Sequence, residues 1–168
     1  GSSAGDGVLI NNAGTGIVQG MHFESPNSVL NAGSGFTLGG AVQDITILGG
    51  EICQNSFGVY VNNTVTGLQI LGATIGTGAG LTGNTNNGVA FAAGASASDY
   101  VIIADNVMRG NGAAAISSSS VVGTSVSIYG NLGAVNSSWT PTLTFATPGD
   151  LSITYAARSG SYVKTGNT

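Results

Sequence analysis

Charge is what this chain has least of: 3 Lys and Arg and 7 Asp and Glu in 168 residues, a net −4. Arg109, Arg158 and Lys164 are too scattered to make a basic stripe, so the chain lacks the footprint that holds a nucleic-acid backbone. A single cysteine, Cys53, excludes an intrachain disulfide framework. With one histidine, His22, there is no His-rich zinc site, and no Ser–His–Asp spacing is recognisable. No apolar run reaches the roughly 18 residues of a membrane span. The opening GSSAGDGVLI has neither an initiator Met nor the basic-then-apolar pattern of a secretory signal. It reads as added residues or as the cut edge of a longer chain. Three prolines and no Gly-x-x period exclude collagen, and a 42% apolar content argues against disorder.

What is abundant is glycine, 29 residues, and asparagine, 15. Both enter the left-handed backbone region and punctuate turns. Between them lie short apolar runs with no helical period: VLI, GFTL, DITIL, GVYV, LQIL, GVAF, YVIIA, VSIY. They repeat. DITILGGEI (44–52), GLQILGATI (67–75) and DYVIIADNV (99–107) align as x-Φ-x-Φ-x-x-x-x-Φ, where Φ is apolar. TSVSIYGNL (124–132) and a looser copy ending in VQGMHF follow the pattern less strictly. The apolar residues closing successive copies are Phe23, Ile52, Ile75, Val107 and Leu132, 23 to 32 residues apart. A second strand precedes each copy, beginning at Gly7, Gly35, Gly58 and Gly88 and fading at Gly112–Ile116.

A short-strand repeat of this length predicts a solenoid. The expected fold is all-β: a right-handed parallel β-helix of about five coils over 5–133. Residues 134–168 form the start of a second β module, whose ATPGD turn joins two alternating strands. A single copy cannot bury its apolar face, whereas coils stacked about 4.8 Å apart bury it and pair each backbone group. The open ends of so short a stack call for capping, trimerisation or continuation.

Chemistry, in the absence of other groups, rests on carboxylates, two of which at roughly 5–9.5 Å can hydrolyse a glycan. The repeat stacks His22, Glu51, Thr74, Asn106 and Asn131 in one outward column and Asp44, Gly67 and Asp99 in another. His22, Glu51 and the nearby Glu24 are the catalytic candidates, against the alternative of a solvated pair on an outer face. Tyr60 is a candidate sugar-stacking ring. The insertion GTGAGLTGNTNNG (76–88) is a surface corner or, with Asn84, Asn86 and Asn87, the rim of a ligand groove. Asp6 and Asp105 are expected to cap backbone amides. Asn62, Asn63, Asn111 and Asn131 are expected at corners as an internal ladder, SSSS (117–120) at another corner, and Trp139 at the junction with the tail. No cofactor and no metal are indicated.

The tail carries a resemblance. WTPTLTF (Trp139–Phe145), then ITY (Ile153–Tyr155), then GSYVKTGN (160–167) resembles a module recurring near the C-terminus of bacteriophage tail fibres and tailspikes. The coils before it look like the pectate-lyase-like β-helices of many tailspikes. The resemblance implies a homotrimeric virion tail protein, outside the cell, that contacts other tail proteins and binds host surface polysaccharide, sometimes cleaving it. It implies no nucleic acid and no membrane insertion, and it transfers no catalytic residues. A polysaccharide depolymerase and a non-enzymatic bacterial adhesin are the alternative functions.

Overall fold

The computed structural model describes residues 5–12, 14–78, 80–118 and 125–133. The expected second module at 134–168, Trp139, and Ser119 and Ser120 lie outside them. Within the described residues the chain is a parallel β-helix of five coils with three sheets as its sides. Coil 1 holds β1 (Val8–Ile10), β2 (Val18–Glu24) and β3 (Asn27–Val29); coil 2 holds β4 (Phe36–Leu38), β5 (Val42–Leu48) and β6 (Glu51–Cys53). Coil 3 holds β7 (Val59–Val61), β8 (Val65–Leu71) and β9 (Thr74–Ile75). Coil 4 has β10 (Val89–Phe91) and β11 (Val101–Ala104), and coil 5 has β12 (Ile116–Ser118) and β13 (Val126–Tyr129). Single bridges at Val107 and Leu132 continue the third side. One 3-10 turn, Ala93–Ala95, interrupts the all-β pattern.

We call the sides A (β1-β4-β7-β10-β12), B (β2-β5-β8-β11-β13) and C (β3-β6-β9). Every pairing is parallel and in register from coil to coil. Like residues therefore stack on like: Ile45 on Leu68, and Ile47 on Ile70 on Ile103, all fully buried. Each such side chain contributes about 1.5–3 kcal/mol when buried. At the coil-1 end Phe23 packs edge-on against Phe36, with centroids 5.1 Å apart.

The corner between sides B and C is a stacked column of left-handed residues: Ser25, Gly49, Gly72, Asp105 and Gly130, with φ of 47, 65, 62, 57 and 66°. A second column crosses side B as a bulge at Gly20, Asp44, Gly67 and Tyr100, φ 70, 51, 77 and 51°. Glycine takes this conformation without the Cβ penalty, which explains its abundance here.

The observed register differs from the expected one in coils 1, 4 and 5. Tyr100, not Asp99, stands with Asp44 and Gly67; Asp99 pairs with Thr66. The buried positions of coil 4 are consequently Val101, Ile103 and Met108, one residue later than Tyr100, Ile102 and Val107. In coil 1, Phe23 pairs with Ile47, and it is Ser28 that stands against Ile52. Leu132 pairs with Val107 and faces outward, 67% exposed. Ser117 and Ser118 belong to β12 rather than to a corner.

Cys53 is buried at the end of β6. Burial pushes its thiol above the ordinary range, and Glu51 two residues away raises it further. A raised folded value gives stability that is whole below the unfolded thiol value of about 8.5 and is lost as pH rises through the folded value. Cys53→Ala is therefore expected to flatten the fall in the urea midpoint between neutral pH and pH 10. An unchanged slope would show that the thiol plays no part.

Candidate functional site

Two asparagine ladders run along corners of the coil stack. At the C-to-A corner, Asn31, Asn55, Asn84 and Asn111 stack one per coil. The Nδ2 of each of the first three donates to the Oδ1 of the next, at 2.9, 3.2 and 2.9 Å. Asn55 and Asn84 also donate back to the carbonyls of Ser28 and Ile52, at 2.8 and 3.1 Å. At the B-to-C corner, Asn106 donates to Asn131 Oδ1 at 2.9 Å and to Ile70 O at 2.9 Å. Amide side chains suit this place because each carries donors and an acceptor, and so completes the corner backbone that no strand pairs.

Of the four asparagines expected in an internal ladder, Asn111 belongs to one ladder and Asn131 to the other, while Asn62 and Asn63 are exposed and outside both. Asn31 and Asn55 are members the residue pattern leaves unassigned, whereas it places Asn84 on a groove rim and Asn106 in the outward column. The available signal was an asparagine three or four residues ahead of each strand-opening position: Asn31 before Gly35, Asn55 before Gly58, Asn84 before Gly88, Asn111 before Ala115. Asn84 is 1% exposed with its amide committed on both sides. Its expected place on a groove rim is corrected to the interior.

The expected column of His22, Glu51, Thr74, Asn106 and Asn131 separates. His22 lies on side B opposite Thr46, and Glu24, on the same face, is opposite Leu48. Glu51 lies on side C between Asn27 and Thr74. The inserted loop backs onto it: a Cβ at Gly78 would stand 3.1 Å from Glu51 Oε1. Asn106 is fully buried and aligned with Ala73. The register thus keeps His22 with Glu24 and puts Glu51 on another side. Asp6 caps as expected, accepting from Ser34 N at 2.7 Å. Asp99 accepts from the amides of Tyr100 and Ser125, both at 2.9 Å. Among the described residues no cluster of His, Cys, Asp and Glu could hold a metal, and no helix is long and apolar enough to cross a membrane.

Tyr60 lies on side A opposite Ala90, and Asn86 and Asn87 lie just ahead of the same strand pair. Side A pairs Val59 with Val89, so the preceding residues Phe57 and Asn87, and Ser56 and Asn86, are neighbours across coils 3 and 4. Backbone bonds hold them there: Asn86 N to Ser56 O at 2.8 Å and Gly58 N to Asn87 O at 3.0 Å. The Phe57 and Tyr60 rings stack, 5.0 Å between centroids and 26° between planes. Asn86 Nδ2 donates to Ser56 Oγ at 2.9 Å. Phe57 and Ser56 are members that sequence reasoning missed. A separate cavity of about 210 Å³ opens at the coil-1 end between Val8, Phe23, Phe36 and Asn31, where the stack has no coil before it among the described residues.

The chain matches no protein-family model, no curated protein and no solved structure.

Proposed function

We propose that this chain is a structural and glycan-binding part of a bacteriophage tail fibre or tailspike, homotrimeric in the virion and in contact with other tail proteins and with host surface polysaccharide. The observation carrying the reading is the sequence of the tail: Trp139–Phe145, Ile153–Tyr155 and Gly160–Asn167 in the order of the tail-fibre module, joined directly to a parallel β-helix. The solenoid supports it physically. A stack of parallel coils with amide ladders inside makes a stiff rod, and its charge-poor sides suit uncharged polyhydroxyl ligands.

The residues favour binding over cleavage, because the register removes Glu51 from the column of His22. Incubation of the full chain with capsular and O-antigen polysaccharides, scored for retention and for new reducing ends, tests this. Retention without new ends is expected. New ends would make the protein a depolymerase, and no retention on any glycan would remove the glycan-binding role. Sedimentation is expected to give a trimer, and a folded monomer at micromolar concentration would overturn the trimeric assembly.

A further inference from the structure

We infer that Phe57, Tyr60, Ser56 and Asn86 form a subsite for a neutral hexose or N-acetylhexosamine unit, on the outer face of side A. This rests on the glycan-binding reading and assigns it a place. Tyr60 occupies the outward position of β7, where its neighbours across the sheet are Thr37 and Ala90. Both of those outward residues are nearly covered, 9% and 5% exposed, while Tyr60 remains partly open. The stack on Phe57 holds the ring in one orientation.

Aromatic rings offer a pyranose a broad apolar surface for its C–H face and cost little conformational entropy when already packed. The polar half enters through Ser56, which precedes Phe57 in the chain. Asn86 spends one N–H on Ser56 Oγ, and its backbone is anchored to Ser56 O. Its second N–H and its Oδ1 have no other hydrogen-bond partner among the described residues, so they can donate to and accept from sugar hydroxyls. An apolar platform with a few placed polar groups is the usual composition of a small-molecule site. None of the four residues carries a charge, and this selects a neutral sugar over a uronic acid or a sialic acid.

The test is binding of the full chain and its variants to a printed array of capsular and O-antigen polysaccharides, with folding checked by circular dichroism. Tyr60→Ala is expected to weaken binding about tenfold, Asn86→Ala several-fold, and Tyr60→Phe little, since the ring is kept. Gln69→Ala, on side B, is the control and should bind as the parent does. A folded Tyr60→Ala that binds like the parent overturns the subsite and leaves the glycan-binding reading intact. A parent that binds no glycan overturns both. If Tyr60→Ala fails to fold, undiminished binding by Asn86→Ala overturns the subsite.

Discussion

Asn84→Ala is expected to destabilise the solenoid by about 4 kcal/mol, a large share of the 5–15 kcal/mol that holds most domains together. Asn84 Oδ1 accepts from the backbone N of Asn55 at 3.1 Å and from its Nδ2 at 3.2 Å. Asn84 Nδ2 donates to Ile52 O at 3.1 Å and to Asn111 Oδ1 at 2.9 Å. Truncation strands polar groups on both neighbouring coils, each costing about 1–3 kcal/mol when buried and unpaired. It also leaves a hole in a packed corner. Asn62→Ala, outside either ladder and exposed, should change stability by less than about 0.5 kcal/mol. Urea unfolding of the two variants measures the difference, and equal midpoints would show that the ladder contributes nothing.

Gly58→Ala is expected to cost about 3 kcal/mol, at the upper end of what overpacking usually costs. Gly7, Gly35, Gly58 and Gly88 stack at the entrance to side A, and at Gly58 the space for a Cβ is already taken. It would overlap Gly88 O and stand 2.5 Å from Ile75 Cγ2. Neither neighbour can yield freely. Gly88 O accepts from Val59 N at 2.8 Å, and Ile75 is fully buried. The requirement is close approach of backbone to backbone. Gly72→Ala offers a contrast, because it has open space but a φ of +62°. Its cost should be the left-handed penalty alone, about 1–2 kcal/mol. Thermal denaturation that ranks Gly72→Ala below Gly58→Ala would contradict the crowding at the A-side entrance.

These two sites show what could be read from residues and what could not. Side A was legible because glycine opens four of its strands and each is followed by apolar residues in the same frame; the pairing of Val8, Phe36, Val59 and Val89 follows that alignment. Coils 2 and 3 were legible for the same reason, Ile45 on Leu68 and Ile47 on Ile70. Coil 4 was not. YVIIA is apolar at every position, so alternation cannot say which residues point inward, and a slip of one residue exchanges the faces. The bulge at Tyr100 decides it, and a tyrosine at φ 51° carries no turn signature. In coil 1 the inward position on side C is Ser28, which donates to Gly35 O at 2.9 Å; an apolar count passes over it and stops at Phe23.

The asparagines divide in a similar way. Asn84 and Asn86 are two residues apart in one polar insertion, and composition treats them alike. The stack separates them: Asn84 falls on the ladder and is closed off, while Asn86 falls beside Ser56 at the surface. The 76–88 insertion enters just ahead of a ladder position, so the chain can lengthen at that corner and still return to register at Asn84.

Hydrogen exchange of the asparagine side-chain amides, followed by ¹⁵N NMR, tests the stacked interior most directly. The Nδ2 protons of Asn55, Asn84 and Asn106 should exchange only with large-scale opening of the coils, while those of Asn62 and Asn63 exchange at once. Fast exchange at Asn55, Asn84 and Asn106 in the folded protein would contradict the ladders and the coil register built on them.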